Sequence, residues 1–216
     1  MKFDNILVVD NLLEENLANK VSRELINNKT WSCNWGSAGG TTSRQPGDPK
    51  QQWHWHRSIW NDKKGMPELQ ECEMIDHPNI SLLWKEASRA LLDRFGFAFL
   101  PVRAYANAHT YGVDGAMHTD DGDITVIYYS SPNWKIEWEG GTALYNEAAD
   151  DCIKYCSYKF NRLFAFPARI RHKAMPVTKE CKDIRTVIVF KTIVDINHET
   201  YSKAYYEGRI VDGRIL

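Results

Sequence analysis

The chain has 216 residues, a formal net charge of −1, 43% hydrophobic residues and 25% charged residues. This is the composition of an ordinary globular domain, and we predict a single domain over residues 1–216. The balanced charge argues against a nucleic-acid partner, and no apolar run is long enough to span a membrane. Because the five cysteines are odd in number and irregularly spaced, we expect free thiols in the cytoplasm.

Residues 1–96 predict helices that support a sheet, with an aromatic segment between them. Residues 6–9 form a short apolar run typical of a strand. Asn11 and Glu14 match a capping box, which predicts a helix to about Asn28 that is apolar at every fourth residue. A second helix is predicted from about Ile80 to Phe95, since Gly96 stands where a C-terminal cap belongs. We expect both helices to cover one face of the sheet.

Residues 31–60 contain five of the eight tryptophans, at positions 31, 35, 53, 55 and 60. Glycine- and proline-containing runs within this segment predict loops. Two interpretations remain open: the segment is a lid in which Trp53 or Trp55 lines a pocket, or its tryptophans fill core. His54-Trp55-His56 is more typical of an aromatic strand with solvated edges than of a second metal site.

From residue 97 to 195 the chain predicts closely spaced strands separated by turn residues. Such a pattern after a helical start indicates an α+β fold, with a jelly roll supported by N-terminal helices. Cys152 and Cys156 are spaced to share a helix face. The tail, residues 196–216, packs on the barrel, covers a pocket mouth or contacts another subunit. The predicted strands are residues 97–111, 123–131, 141–145, 158–167, 172–177 and 185–194.

Two histidines and one aspartate form the most informative pattern. In extended backbone, His118 and Asp120 point to the same side, and His172 lies at the edge of another predicted strand. Two imidazoles and a carboxylate are the ligands of non-haem iron(II) sites that keep positions open for substrate and oxygen. The alternative is coincidence, with each histidine in an ordinary structural role.

Arg185 begins the apolar run 186–190, where an unpaired charge would be costly. A bidentate bond to a dicarboxylic acid such as 2-oxoglutarate would satisfy it. Asp183 or Asp195 would be the ordinary alternative partner. Of Tyr128 and Tyr129, one faces the barrel interior, where its hydroxyl needs a partner.

The segment from Tyr111 to about Thr192 resembles the prolyl 4-hydroxylase-like 2-oxoglutarate oxygenases, especially the oxygen-sensing prolyl hydroxylases. The resemblance implies a double-stranded β-helix in which His118, Asp120 and His172 bind iron(II). It also implies that Arg185 binds the distal carboxylate of 2-oxoglutarate and that Tyr129 assists. We expect iron(II), 2-oxoglutarate and O2 to be required, with ascorbate as a candidate stimulant. The residues that carry the resemblance are His118-Thr119-Asp120, Ile127-Tyr128-Tyr129, Trp134, Gly140-Gly141, residues 159–166, His172 and Arg185.

Two positions depart from the oxygen-sensing enzymes. Val189 stands where they carry threonine, and Ala108 stands where they carry tyrosine. Tyr105, Tyr111 or Asn107 are candidates to replace that tyrosine. The co-substrate pocket is therefore expected to differ from theirs.

We predict a dioxygenase that hydroxylates an unactivated C–H bond and releases succinate and CO2. Its substrate is a peptidyl residue, with proline as one candidate, or a small molecule. The alternative is a metal-binding jelly-roll module that is non-catalytic or that hydrolyses or isomerises its substrate.

Overall fold

The structure, a computed structural model, describes residues 5–27, 30–35, 54–61, 77–96, 98–113, 115–199, 210–211 and 214–215. Among the described N-terminal residues, two helices are present, α1 (Glu15–Ile26) and α2 (Pro78–Phe95). A short 3-10 helix covers Ile136–Trp138. The strands are β1 (Leu7–Val9), β2 (Ser32–Trp35), β3 (His54–Asn61), β4 (Phe99–His109), β5 (Ile124–Tyr129), β6 (Thr142–Tyr145), β7 (Cys152–Cys156), β8 (Arg162–Pro167), β9 (His172–Ala174), β10 (Arg185–Val194), β11 (Ile210–Val211) and β12 (Arg214–Ile215).

The strands form a major and a minor antiparallel sheet. The major sheet has the order β1-β8-β5-β10-β4-β3-β2, and the minor sheet has the order β7-β6-β9. Strands β11 and β12 pair with each other as a hairpin. The predicted α+β fold, a double-stranded β-helix supported by N-terminal helices, is confirmed. Every strand predicted between residues 97 and 195 is present, with ends displaced by a few residues.

The two faces of the major sheet bury different sets of side chains because successive residues of a strand point to opposite sides. The outer face packs against α1 and α2 and forms the larger core. The inner face, between the two sheets, forms a second cluster with Tyr105, Tyr129, Phe164, Val187 and Val189. The prediction that the helices cover one face of the sheet is therefore confirmed.

The predicted capping box of the first helix is wrong. Helix α1 begins at Glu15 with Glu14 as its N-cap residue, and no side chain caps it. Asn11 instead has a left-handed backbone, with φ of 53°. The backbone N–H groups of Leu12 and Leu13 donate to Asn161, so a tertiary contact holds this segment outside the helix.

Two further sequence interpretations change. Cys152 and Cys156 lie at the ends of strand β7, so they share no helix face. His54-Trp55-His56 is a strand, as predicted, but His54 is only 1% exposed and lies on the inner face rather than at a solvated edge.

The described tryptophans of the aromatic segment divide between core and surface. Trp31 and Trp60 pack against the larger core, as one interpretation required. Trp55 is exposed and points to the opposite side of β3 from His54, so it does not line the barrel interior. Trp53 and much of the tail lie outside the described residues. The single domain over residues 1–216 stays a prediction.

Within the described ranges, we find no helix that has both the length and the apolarity needed to cross a lipid bilayer.

Substitution of Asn161 tests how the segment before α1 is held against the barrel. Its side chain accepts hydrogen bonds from the Leu13 N–H at 3.0 Å and the Tyr128 hydroxyl at 3.1 Å, and donates to the Leu13 carbonyl at 2.7 Å. Its φ is 61°, in the left-handed region. We expect Asn161→Ala to lower the free energy of unfolding by roughly 3 kcal/mol, because it removes buried hydrogen bonds and strains the backbone. Urea denaturation measures this loss.

Asn133 is the matched control, since its φ is 57° but its side chain is exposed. Asn133→Ala should cost only the backbone preference, about 1 kcal/mol. Equal losses in the two variants would contradict the role given to the Asn161 side chain.

Candidate metal and co-substrate site

The segment that joins β4 to β5 carries His118 and Asp120 and is fixed by backbone hydrogen bonds. The His118 N–H donates to the His172 carbonyl at 3.0 Å, and the His172 N–H donates to the His118 carbonyl at 2.8 Å. The Asp120 N–H donates to the Ala168 carbonyl at 2.8 Å. These bonds bring the two predicted ligand segments, distant in sequence, to the same place in the barrel.

The side chains of His118, Asp120 and His172 converge. Their candidate ligand atoms all lie within 4.8 Å of one another. The His118 Nε2 lies 3.3 Å from Asp120 Oδ1, and the His172 Nε2 lies 3.3 Å from Asp120 Oδ2. Two imidazole nitrogens and one carboxylate, clustered at one point, form a donor set that fits iron(II).

Hydrogen bonds orient both imidazoles toward this point. The His118 Nδ1 bonds to the Ala116 carbonyl at 2.8 Å, and the His172 Nδ1 bonds to the Ile170 carbonyl at 2.9 Å. Because a carbonyl oxygen only accepts, the proton of each neutral ring resides on Nδ1. Each Nε2 therefore keeps its lone pair for a metal, as in other metal-binding histidines whose second nitrogen bonds to the protein.

Asp120 is prepared to act as an anionic ligand. Burial alone would raise the pKa of this carboxyl, but the adjacent imidazoles of His118 and His172 and the positive charge of Lys191 hold the pKa well below its usual range. The Thr125 hydroxyl donates to Asp120 Oδ2 at 2.7 Å, and the Lys191 ammonium contacts Oδ1. Asp120 thus remains ionised and fixed in orientation.

Arg185 is buried at the first position of β10 without a carboxylate partner among the described residues. It is 1% exposed, and its Nε donates to the Gly140 carbonyl. Its Nη1 is buried and has no hydrogen-bond partner in the described ranges. Asp183 and Asp195, the alternative partners, instead accept hydrogen bonds from backbone N–H groups beside them. The guanidinium therefore has an unsatisfied donor inside the barrel.

Gly140 allows the close approach of Arg185 to the backbone. Its φ is +73°, and a Cβ at this position would lie 3.1 Å from the Arg185 Cδ and 3.0 Å from Val177. A side chain would therefore crowd the arginine and strain the turn. Gly140, the first residue of the Gly140-Gly141 pair, therefore helps to position the buried guanidinium.

Two buried histidines lie on one side of Arg185: His109 on the paired strand β4, and His54 on β3, one strand farther along the sheet. His54 on β3 and His109 on β4 are 1% and 2% exposed, and their ring centroids are 5.0 Å apart. Neither nitrogen of His54, nor the Nδ1 of His109, has a hydrogen-bond partner in the described part of the chain. Burial lowers the pKa of His54 to about 4 and that of His109 well below its ordinary value. Both rings are therefore neutral at pH 7.

Unpartnered buried polar atoms on His54, His109 and Arg185 are costly unless a polar molecule occupies the space between them. The described residues near Arg185 supply aromatic hydroxyls but no counter-charge. Tyr129 donates to Thr142 at 2.9 Å, and the Tyr158 ring centroid lies 5.6 Å from the Arg185 guanidinium carbon. This environment suits a small polar anion such as the distal carboxylate of 2-oxoglutarate.

The other predicted co-substrate contacts differ in their placement. Asn107 lies on the inner face of β4 and accepts a hydrogen bond from the His56 Nδ1 at 3.1 Å. Tyr111 is 65% exposed in the turn after β4, which does not support a contact with the co-substrate. Ala108 shares the outer face with the buried Ala106, so the missing tyrosine is not simply replaced at that position.

Sequence reasoning missed Lys191, His54 and His109. Lys191 lies an even number of residues after Arg185, within the same predicted strand, and alternation places it on the same face. His109 lies near the C-terminal end of the predicted strand 97–111. These polar residues within apolar strands were the available signal, and only the pairing of β3, β4 and β10 shows that His54 and His109 lie beside Arg185 while Lys191 lies at the other end of β10.

Comparison with known proteins finds a family similarity over the segment that carries the site. The family model described as the 2OG-Fe(II) oxygenase superfamily matches residues 103–190, from β4 into β10. This segment contains all three clustered ligands and Arg185. The curated proteins include no significant match to the chain.

Several solved structures share the fold. A prolyl hydroxylase from Trichoplax adhaerens, in complex with a peptide fragment of the hypoxia inducible factor oxygen degradation domain, has a TM-score of 0.59 and 18% identity, over 94% of this chain and 88% of that chain. The viral collagen prolyl hydroxylase of Paramecium Bursaria Chlorella virus-1, in complex with 2-oxoglutarate, has a TM-score of 0.57 and 11% identity, over 87% and 95%. The epimerase SnoN from nogalamycin biosynthesis has a TM-score of 0.57 and 12% identity, over 87% and 78%.

At these identities the solved structures show a common fold. The family model also matches the strands that carry the site. The clustered donors fit the metal that this family uses. Residues 103–190 therefore match the 2OG-Fe(II) oxygenase superfamily over the strands that carry the site, and the clustered donors fit iron(II), which supports a dioxygenase that uses iron(II), 2-oxoglutarate and O2.

Proposed function

We propose that this protein hydroxylates an unactivated C–H bond of its substrate, with iron held by His118, Asp120 and His172. The observation that carries the proposal is the buried guanidinium of Arg185, which has an unsatisfied donor and no carboxylate partner among the described residues. A non-catalytic metal module has no use for such a charge, whereas 2-oxoglutarate supplies the missing carboxylate.

The protein's own residues would fix the co-substrate at the Arg185 end of the barrel. Arg185 holds the distal carboxylate by charge-assisted hydrogen bonds, and Tyr129 and Tyr158 border the guanidinium. His54 and His109 offer neutral donors beside it. Val187 and Val189 line the same face of β10 with apolar surface, which excludes water. The oxidant would be O2, which iron(II) held at this site would activate: one oxygen atom would enter the substrate as a hydroxyl group and the other would enter succinate, formed from 2-oxoglutarate with release of CO2.

The substrate is a peptidyl residue or a small molecule. Both classes occur among the similar structures, which include an enzyme bound to a peptide fragment and an epimerase of nogalamycin biosynthesis. Proline is one candidate residue. The free thiols of Cys152, Cys156 and Cys181 support the cytoplasm as the compartment.

Arg185→Gln tests the co-substrate assignment. We expect this variant to weaken 2-oxoglutarate binding by about 100-fold or more, because it removes the charge that pairs with the distal carboxylate. Iron affinity should change little. The measurement is an anaerobic titration of the iron-loaded protein with 2-oxoglutarate, followed by the visible metal-to-ligand charge-transfer band.

Arg89→Gln is the control, since Arg89 is exposed on α2. It should bind 2-oxoglutarate as the wild type does. Unchanged affinity in Arg185→Gln would remove this residue from the site. The absence of a band in the iron-loaded wild type would favour the alternative, a metal-binding jelly roll of another kind.

His172→Ala tests the metal assignment. We expect loss of iron binding, measured by metal content after anaerobic loading, because two ligands hold iron far less tightly than three. The far-ultraviolet circular dichroism should remain that of the folded protein. His198→Ala, outside the triad, should keep its iron. Stoichiometric iron in His172→Ala would show that the triad is wrongly assigned.

The buried neutral histidines also predict how stability depends on pH. Since the pKa of His54 is about 4 when folded and ordinarily 6.5, the unfolded chain takes up the proton first as pH falls. The contribution of neutral His54 to the free energy of unfolding is complete above about pH 6.5 and is lost as pH falls toward 4. Between pH 7 and pH 5, His54 should contribute roughly 2 kcal/mol of this loss. Urea denaturation of metal-free wild type and His54→Phe at both pH values tests it, and identical losses would contradict it.

A further inference from the structure

We propose that the substrate carries a carboxylate or phosphate group that binds to Lys191 and Arg103, at the opposite end of the inner face from Arg185. The inference rests on the proposed function, since it names the substrate class of the same site. It comes from two cations that a 2-oxoglutarate site does not need.

Lys191 is an unusual residue for the interior of a barrel. It is 2% exposed, and it follows Arg185, Val187 and Val189 on the inner face of β10. Its ammonium contacts Asp120 Oδ1 and lies 3.7 Å from Asp121 Oδ1. Burial of an ammonium is costly, so a lysine at this position needs an anion that remains available to it.

Arg103 places a second cation beside Lys191. The two residues pair directly across β4 and β10, and alternation places both side chains on the inner face. The Arg103 guanidinium carbon lies 4.6 Å from the Tyr105 ring centroid. Its Nε is buried and has no hydrogen-bond partner in the described part of the chain. Arg103 therefore offers a donor that is already turned away from solvent.

The local anions do not neutralise both cations once a metal is bound. Asp120 would then share its negative charge with a dication, which weakens its attraction for Lys191. Asp121 is 74% exposed, so water screens its charge. Lys191 and Arg103 would be left with excess positive charge, and an anionic group on the substrate would complement it.

The position of the two cations assigns them to the substrate rather than to the co-substrate. Arg185 and Lys191 are six residues apart, roughly 20 Å of strand. Lys191 contacts the Asp120 end of the triad, whereas Arg185 lies at the other end of β10. With 2-oxoglutarate directed from the metal toward Arg185, the Lys191–Arg103 end remains for the molecule to be oxidised.

The experiment is a ligand-observed NMR screen of the zinc-loaded protein saturated with 2-oxoglutarate. The probes are small carboxylic acids, each paired with its primary amide, and small phosphate monoesters, each paired with its alcohol. We expect the charged member of a binding pair to bind at least about tenfold more tightly than its neutral partner. Whether acids or phosphate esters bind more tightly identifies the group.

The preference should fall toward unity in Arg103→Met and Lys191→Met. It should persist in Lys159→Met, because Lys159 is half exposed and pairs with Asp10 outside the barrel. If Lys191 only orients Asp120, its substitution would alter metal affinity and leave the charge preference intact. That result, together with an unchanged preference in Arg103→Met, would overturn the proposal.

Binding of no charged probe, or equal binding of charged and neutral partners, would also overturn it. The 2-oxoglutarate charge-transfer band reports on the proposed function independently. If the band forms while no charge preference exists, only the substrate inference fails. If the band is absent, the proposed function fails first.

Discussion

The two-residue alternation of strand β10 is the constraint on which the rest of the structure depends. One set of its residues, which includes Ile188 and Phe190, packs under the helices in the larger core. The other set faces the barrel interior, where Arg185 and Lys191 lie at opposite ends of an apolar stretch. Because β10 pairs with both β4 and β5, its register fixes what stands beside each inner residue. A register shift of one residue would turn the site residues toward the helices and the core residues toward the barrel interior.

Buried charge is the second organising feature. A barrel stabilised only by packing would be more stable with apolar residues in place of an arginine and a lysine. Both cations are nevertheless less than 3% exposed. Arg185 has a carbonyl partner but no counter-charge in the described part of the chain, and Lys191 has a carboxylate that a metal would share. In the free protein, the buried charges of Arg185 and Lys191 lower the stability of the fold. Binding of iron, 2-oxoglutarate and an anionic substrate would offset this loss.

The two neutral histidines also contribute to the charge balance around Arg185. His54 and His109 lie beside Arg185, where a second positive charge would be unfavourable, and burial keeps their pKa values low. They remain polar without adding charge. The co-substrate end of the barrel therefore has one cation and neutral donors, a balance suited to a single carboxylate.

Much of the fold and the clustered triad followed from sequence. Apolar alternation located the strands between residues 97 and 195, because each buries one or both faces. The spacing of His118 and Asp120 predicted convergent side chains, which the structure has. The helix cap at Asn11 failed because a long-range contact with Asn161 overrides a local preference. The inner-face partners His54, Arg103 and Lys191 depend on strand pairing, which a single sequence does not reveal.

The central claim is that the protein oxidises 2-oxoglutarate to succinate with O2, in a reaction that requires iron bound in the barrel. Isotope labelling tests this claim most directly. The iron-loaded protein is mixed with 2-oxoglutarate under an atmosphere of oxygen-18, and succinate is analysed by mass spectrometry. The account predicts succinate that carries one labelled oxygen atom, formed only when iron is present. Iron and 2-oxoglutarate that bind without forming labelled succinate would contradict it.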